Sequence, residues 1–487
     1  MAAARTRPLL LGLQVVALAL LGSCQEPATG PIQVAAIGPP PRLDNPNLRP
    51  LDPPSAFLAE AVAQGLVRFD AAGEIEPALA QSWIVSDDGL RYTFRVGRAQ
   101  WTGGSRVTAQ QVAARLQASV SPASRNTLKP VLAAMRSAVA MTDQVLEIGL
   151  SGPRPNMLQL LAQPEAAILL NGQGTGPYQA TAIPDGSVRL RATGTDADDE
   201  AAPELPDIVL RGDAAAHAVA AFAHARADLV VGGTGGDLPY ARVAGVADAQ
   251  LVFDPVAGLF GLAFTAPDAE RPLADAAVRR ALSMAIDRDG LVASLGVPGQ
   301  QPRVRIVPAA AGELPVPALP DWAAAPLPMR RELAQRVIER LEEPLRLRVA
   351  MPDAPGDRIV FAHLRRDWRL IGVEAERVPF DAPADLRLVD AVAPAALASW
   401  YLRHFTCDTR RVCDPVADQA MEAARIALTP VERQAQLARA DQILSALTPF
   451  IPLTGPVRWS LVSPRITGFR PNPFARHPAA TLIAEEP

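Results

Sequence analysis

The sequence predicts a mixed α/β protein with more than one lobe, and three observations support this. The chain has 487 residues, of which 49% are hydrophobic, and this is more than one domain of ordinary size contains. Residues 90–96 alternate apolar and polar side chains, as a half-buried strand does. Residues 345–379 have the pattern of a strand, a helix and a second strand, which is the repeating unit of an α/β layer.

The other elements follow from local patterns. Thr108 and Gln111 have the spacing of a capping box, which predicts the start of a helix. An apolar stripe predicts a second helix over 275–287 that ends at Asp289-Gly290. A Thr-Pro start predicts a third over 429–447. Further strands are predicted at 145–150, 188–192, 227–232, 345–351 and 373–379, and a helix at 357–371.

Composition and missing motifs exclude several classes of protein. The 51 acidic residues outnumber the 47 basic ones, so we expect no nucleic-acid partner. No stretch of about 20 uncharged apolar residues occurs, which excludes a polytopic membrane protein. The sequence contains no Gly-x-Ser-x-Gly, no His-Glu-x-x-His and no phosphate loop, so we do not expect an enzyme. Its five histidines are scattered without acidic or cysteine partners, and we expect neither a metal nor a cofactor.

The first residues have the features of an export signal. A basic start and a mostly apolar run over 9–22 precede Cys24. The Leu-Gly-Ser before this cysteine resembles the lipobox of bacterial lipoproteins, which are cleaved before the cysteine and acylated on it. We therefore expect a lipoprotein signal peptide over 1–23, lipidation at Cys24 and a Pro- and Gly-rich tether over 24–45. An ordinary signal peptide with an incidental cysteine is the alternative.

Export also bears on the other two cysteines, Cys407 and Cys413. In an oxidising compartment an even pair close in sequence predicts a disulfide. A metal pair and two free thiols are the alternatives. Two cysteines do not supply the four ligands that zinc usually takes, so the disulfide is the prediction.

Five stretches of the chain resemble the family 5 extracellular solute-binding proteins, the peptide- and nickel-binding components of bacterial ABC importers. They follow the family order over roughly residues 60–475. The stretches include Gly65-Leu-Val-Arg-Phe-Asp70 with Asp87-Asp88-Gly89-Leu90, Gly174-Thr-Gly-Pro-Tyr178, Val278-Arg-Arg-Ala-Leu282, Leu370-Ile-Gly-Val373, and Ile466-Thr-Gly-Phe469 with Asn472-Pro-Phe474.

The resemblance implies a two-lobed periplasmic-binding-protein-like fold with a ligand cleft and two hinge crossings. Lobe one would comprise 46–257 and the return 456–487, and lobe two would comprise 258–455. The expected function is a monomeric, lipid-anchored receptor at the periplasmic face of a bacterial membrane. It would deliver peptides or peptide-like solutes to the permease and ATPase subunits of an ABC importer by cleft closure. A lipoprotein scaffold or sensor without transport, and a binder of a metal chelate such as nickel, are the alternatives.

The resemblance also indicates candidate ligand-binding residues. Gly176 belongs to a turn that lies near the cleft in the family, and Tyr178 follows it; a structural turn and a core tyrosine are the alternatives. Peptide-binding members carry a Trp and an Asp in the segment that corresponds to 390–414, where the Asp pairs with the α-amino group of the peptide. This segment is shorter here. Its candidates are Trp400 and Tyr401 as pocket walls, Arg403 as a partner for a ligand carboxylate, and Asp408 as the ammonium partner, with an exposed Asp beside the disulfide as the alternative.

Overall fold

The structure is a computed structural model that describes residues 30–193 and 205–484. The predicted signal peptide over 1–23 and the predicted lipidation site, Cys24, lie outside the described residues. Among the helices of the described ranges, none is long and apolar enough to cross a membrane.

The described residues form both strands and helices. The strands are β1 (Ile32–Ile37), β2 (Val67–Phe69), β3 (Ile75–Pro77), β4 (Ala80–Val85), β5 (Arg91–Val96), β6 (Met135–Thr142), β7 (Val145–Leu150), β8 (Tyr178–Ala182), β9 (Val188–Ala192), β10 (Ile208–Asp213), β11 (Leu229–Thr234), β12 (Leu251–Phe253), β13 (Gly258–Phe264), β14 (Arg346–Ala350), β15 (Glu374–Val378), β16 (Leu386–Val392), β17 (Phe450–Thr454) and β18 (Arg458–Val462). The helices are α1 (Pro53–Val62), α2 (Ala109–Val120), α3 (Lys129–Leu132), α4 (Met157–Leu161), α5 (Ala215–Ala223), α6 (Leu238–Val243), α7 (Ala276–Met284), α8 (Arg288–Leu295), α9 (Leu327–Ile338), α10 (Pro355–Arg369), α11 (Ala398–Arg403), α12 (Pro415–Ile426) and α13 (Pro430–Leu447).

A seven-stranded sheet forms the first layer, in the order β12-β18-β11-β1-β10-β9-β8. β1 lies in its middle and runs parallel to both neighbours. The prediction of a tether over 24–45 is therefore wrong for residues 32–37, which form β1. Ile32 and Val34, on either side of the partly exposed Gln33, are buried in the sheet, so the prolines and glycines around β1 mark turns rather than a linker.

A five-stranded sheet forms the second layer, in the order β15-β14-β16-β13-β17. All seven residues of β13 are buried, as expected for a strand covered on both faces. The chain passes from the first sheet to the second between β12 and β13, and returns between β17 and β18. A third sheet, β4-β5-β7-β6, packs with α2 in the N-terminal part. We call residues 30–257 and 456–484 lobe one, and residues 258–455 lobe two.

The predicted start of α2 is confirmed, whereas the predicted end of the helix over 275–287 is not. The capping box at Thr108 is confirmed, because its side chain and that of Gln111 bond to each other's backbone N–H groups. The predicted helix over 275–287 is wrong at its end. α7 stops at Met284, and Asp287 accepts a hydrogen bond from Gly290 N at 2.9 Å to start α8. Asp289-Gly290 thus open a helix instead of ending one.

Candidate functional site

A cavity of about 740 Å³ lies between the two lobes, within the size range of small-molecule sites. Both lobes contribute to its wall, which we call the cleft. Lobe one supplies the end of β11, the start of β18 and the loop around residue 475. Lobe two supplies the end of β16, one face of α11 and the loop that follows it. The polar, charged and aromatic side chains of the wall include Glu165, Asp254, Asp390, Trp400, Arg403, His404, Arg411, Arg458, Trp459, Arg476 and His477.

The floor of the cleft is built where the chain crosses between the lobes. Arg458 Nη1 donates to Asp390 Oδ1 at 2.8 Å, which joins β18 to β16. Next to it, Trp459 Nε1 donates to the carbonyl of Thr234 at 2.7 Å. The Trp459 ring lies so close to Gly233 that a Cβ at this glycine would overlap the indole. The floor is therefore rigid and aromatic on the side of lobe one.

One face of α11 forms part of the wall in lobe two. Trp400, Arg403 and His404 have the i, i+3, i+4 spacing that places side chains on one helix face, and all three line the cleft. Tyr401 and Phe405 lie on the opposite face and are almost fully buried in the core. The helix thus presents an indole, a guanidinium and an imidazole to the cleft.

His404 is neutral in this position. Its Nδ1 lies 2.9 Å from the carbonyl oxygen of Trp400, and because a carbonyl only accepts, Nδ1 carries the proton. Burial lowers the pKa of His404 to about 4. Its Nε2 is then an acceptor, and the Trp400 ring packs edge-on against the imidazole with centroids 4.4 Å apart.

Each carboxylate of the cleft is bonded to a basic side chain. Asp390 pairs with Arg458, as described. Asp254 accepts from His477 Nε2 at 3.2 Å and from the backbone N–H of Asn472 at 2.9 Å. Glu165 accepts from Arg476 Nη2 at 2.9 Å. Asp390 and Glu165 are thus matched by guanidinium groups, and the Asp254 carboxylate is buried and hydrogen-bonded to protein donors.

Two cleft guanidinium groups have no such partner. Among the described residues, neither Arg403 nor Arg411 forms an ion pair, whereas Arg458 and Arg476 do. Arg411 Nη1 donates to the carbonyl of His404 at 2.8 Å, and its guanidinium lies 5.9 Å from the centre of the Phe405 ring. Burial lowers the pKa of Arg403 and of Arg411, yet arginine keeps its charge in proteins. Glu422 and Glu313 lie near Arg403. Among the described residues, in contrast, the only charged group that acts on Arg411 is another arginine, Arg387, so the cleft holds uncompensated positive charge at Arg411.

Some of the candidate residues predicted from the sequence line the cleft and others do not. Trp400 and Arg403 line the cleft. Tyr401 does not, because the opposite face of α11 packs on the core. Asp408 does not either: it is exposed, and its Oδ1 accepts from the Thr406 hydroxyl at 2.6 Å. Cys407 and Cys413 form a disulfide with Cα atoms 5.1 Å apart.

The turn before β8 is structural. Gly176 N donates to the carbonyl of Val62 at 2.7 Å, and a Cβ at this glycine would overlap the end of α1. Tyr178 is buried in the core below it, where its hydroxyl donates to the carbonyl of Ala479 at 3.4 Å. Neither residue lines the cleft, so the close approach of two backbones explains the glycines.

Sequence reasoning missed Arg411, Arg458 and Trp459. Arg458 lies 68 residues from Asp390 in lobe two, and Trp459 lies 225 residues from Thr234 in lobe one, so no local pattern joins either residue to its partner. The helical spacing of 400, 403 and 404 was available, and it separates Trp400 from Tyr401. The described residues contain no group of three or more metal-ligating side chains.

Comparison with known proteins identifies the family. The family model of the bacterial extracellular solute-binding proteins, family 5 Middle, matches residues 74–405, which is more than half of the chain. The chain belongs to this family. Its members are binding proteins, which agrees with the absence of enzyme motifs noted above.

Curated relatives are similar over part of the chain, and solved structures share its fold. The glutathione-binding protein GsiB of Escherichia coli K12 is 29% identical over 184 residues, which cover 34% of each chain. The family 5 chain thus spans about a third of the length of the curated relatives that it matches. Haemophilus influenzae OppA in complex with the peptide RPPGFSPFR is 17% identical with a TM-score of 0.80, covering 93% of this chain and 99% of that one. The Escherichia coli murein tripeptide binding protein MppA is 19% identical, also at 0.80, over 93% and 98%.

The two lobes are in contact in this family 5 structure. A structure of MppA described as its unliganded open form matches with a TM-score of 0.66, over 94% of this chain and 96% of that one. At the rim of the cleft, side chains of lobe one bond to carbonyls of lobe two. Arg154 Nη2 donates to Arg425 O at 2.9 Å, and Gln163 Nε2 donates to Pro394 O at 3.0 Å. These bonds hold the lobes together around the cavity.

Proposed function

We propose that this protein is an extracytoplasmic receptor that binds a peptide or peptide-like solute between its lobes and delivers it to an ABC importer. The observation that carries the proposal is the cleft of about 740 Å³ between two lobes that are joined by two chain crossings. Few residues need to change conformation when lobes connected in this way close. The names of its relatives, which bind glutathione and peptides, support this solute class.

Binding energy would come from burial of the solute against the aromatic wall. Trp400 and Trp459 offer large apolar surfaces, and aromatic rings contribute most of the contact area in many sites. His404 Nε2 accepts one hydrogen bond, and the free guanidinium groups of Arg403 and Arg411 donate others. No covalent chemistry is part of this function.

Closure would present the solute-loaded form to the permease. The rim bonds of Arg154 and Gln163 exist only when the lobes meet. A solute that contacts both walls favours this arrangement by its differential affinity for the closed state. The receptor would be monomeric and tethered to the membrane by lipid on Cys24, which places the cleft near the importer.

A thermal-shift screen tests the proposed function. The chain without residues 1–23, carrying Cys24→Ala, would be heated with glutathione and with di- to pentapeptides. A ligand at a hundred times its Kd adds about 2.7 kcal/mol to the free energy of unfolding. We expect a shift with at least one peptide that is lost in Trp400→Ala and kept in Trp83→Ala, a tryptophan outside the cleft. The absence of any shift, or its survival in Trp400→Ala, would contradict the proposal.

A further inference from the structure

The charges on the cleft wall indicate which class of solute fits, and this inference rests on the function proposed above. A zwitterionic peptide needs a carboxylate for its ammonium group and a cation for its carboxylate. In this cleft Asp390, Asp254 and Glu165 are all bonded to basic side chains. An ammonium group at Asp390 would lie beside the guanidinium of Arg458, which is 2.8 Å away. Among the described residues, the wall therefore offers no accessible carboxylate without a protein partner, because Asp390 and Glu165 are paired with arginines and the Asp254 side chain is only 1% exposed.

The basic side chains of the wall, in contrast, include one without a counter-charge. Arg411 is half-buried, makes one hydrogen bond to a neutral carbonyl and has no ion pair among the described residues. The charged neighbour that acts on it is another arginine, Arg387. Burial of a charge without a counter-charge is unfavourable. A ligand carboxylate would supply that counter-charge, and the planar guanidinium binds it with two parallel hydrogen bonds.

Arg411 is also held in place before any ligand arrives. The disulfide between Cys407 and Cys413 closes the loop that carries it, and its backbone pairs with Thr265 at the end of β13. Its Nη1 is bonded to the last residue of the cleft-facing turn, His404. A charged donor that is fixed in advance loses little freedom on binding, as expected for a ligand anchor.

We propose that the cleft takes a solute of net negative charge and that Arg411, assisted by Arg403, anchors a carboxylate of that solute. A free α-ammonium group is not required for binding. This anchor differs from the one expected at Asp408, which lies outside the cleft and would have bound the opposite end of a peptide.

Three tripeptides of nearly equal size test the charge preference by calorimetry at pH 7 and low salt. They are Ala-Ala-Ala, its N-acetyl derivative with one negative charge, and its C-terminal amide with one positive charge. Glutathione is the fourth ligand. We expect the N-acetyl acid to bind at least as tightly as the free peptide, and the amide to bind at least ~10-fold more weakly, because the amide loses charge-assisted hydrogen bonds.

Arginine variants identify the anchor. Arg411→Ala should weaken the N-acetyl acid by ~10-fold or more and leave the amide unchanged. Arg410→Ala, which removes the same charge from an exposed neighbour, should bind all ligands like the parent. Arg411→Gln, which removes the charge but keeps a side-chain N–H donor, serves if the alanine variant does not fold.

These measurements distinguish a failure of the charge inference from a failure of the proposed peptide-receptor function. If the amide binds as tightly as the acid, or if the Arg411 and Arg410 variants behave alike, the charge inference is wrong while the peptide receptor stands. If neither the tripeptides nor glutathione bind, the proposed peptide function is wrong, and the charge inference that rests on it is wrong as well.

Discussion

Arg458 and Asp390 join the two lobes by an ion pair at the floor of the cleft, with Nη1 and Oδ1 2.8 Å apart. Arg458 is the first residue of β18, directly after the second chain crossing, and Asp390 lies on β16 of lobe two. Their side chains are only 16% and 20% exposed. The pair is thus shielded from water, and its loss matters more than the loss of a surface pair.

Asp390→Asn should leave the Arg458 guanidinium in a mostly buried place without its counter-charge. We expect the free energy of unfolding to fall by about 1–3 kcal/mol, measured by urea denaturation. The control is Glu374→Gln, whose partner Arg346 is 80% exposed. Its loss should be below ~1 kcal/mol. Equal losses in the two variants would show that the interlobe pair contributes no more than a surface pair.

The contact between α10 and lobe one depends on glycine. Gly356 N donates to the carbonyl of Gly236 at 2.8 Å, and a Cβ at Gly356 would overlap the carbonyl of Gly235. Gly356→Ala should therefore prevent full closure and weaken ligand binding. Small-angle scattering with saturating ligand should give a larger radius of gyration than for the parent.

Gly312→Ala is the matched control for this prediction. The nearest atom to a Cβ at Gly312 is the carbonyl oxygen of Ala396, at 3.9 Å, which is an ordinary contact. This variant should close like the parent. A Gly356→Ala protein with the parent's radius and affinity would show that this backbone contact does not limit closure.

Asp357 makes the stability depend on pH. Burial, together with the neighbouring carboxyls Asp390 and Asp237, raises the pKa of Asp357 from 3.8 to about 7. Between these two pH values the folded chain keeps a proton that the unfolded chain has released. The free energy of unfolding therefore falls as pH rises from about 4 to about 7.

Asp357→Asn removes this titration and keeps the shape of the protonated acid. Its melting temperature should equal that of the parent near pH 4, and its advantage should grow as pH rises toward 7. Scanning calorimetry over this range measures the difference. A difference that stays constant with pH, or that shrinks toward pH 7, would contradict the raised pKa of Asp357.

The sequence predicted those features that depend on residues close together along the chain, and it missed those that depend on distant residues. The strand at residues 91–96 and the Thr108 cap depend on neighbours within a few residues, and both were predicted. β1 was missed because its partners β10 and β11 begin more than 170 residues later. Nothing in a short apolar run between prolines indicates the centre of a sheet.

The cleft was predicted only where local geometry was enough. Of the candidate residues on α11, Trp400 and Arg403 line the cleft, whereas Tyr401, which was grouped with them, lies on the opposite face of the helix. Asp408 was chosen for its charge. Its carboxylate is satisfied by the hydroxyl of Thr406 on the surface, and a local hydrogen bond of this kind is easily overlooked.

The disulfide between Cys407 and Cys413 closes the loop that positions Arg411. Replacement of both cysteines by serine should cost about 2 kcal/mol, the loop-closure value for a short loop. It should also weaken binding of the N-acetyl acid, because Arg411 would lose its fixed position. Denaturation and calorimetry measure the two effects. A variant with lowered stability and unchanged affinity would show that the loop holds Arg411 without the disulfide.

The most direct test of the account is whether the solute lies between the lobes. Val392 lies on the same face of β16 as Asp390 and is half-buried in the cleft wall, and Val392→Trp should fill the space that the solute needs. Ala114→Trp, on the exposed face of α2, places a tryptophan elsewhere. Calorimetric titration with the peptide that gives the largest thermal shift should find one site in the parent and in Ala114→Trp, and no measurable binding in Val392→Trp. Binding by Val392→Trp with the parent's affinity would place the solute outside the cleft and contradict the central claim.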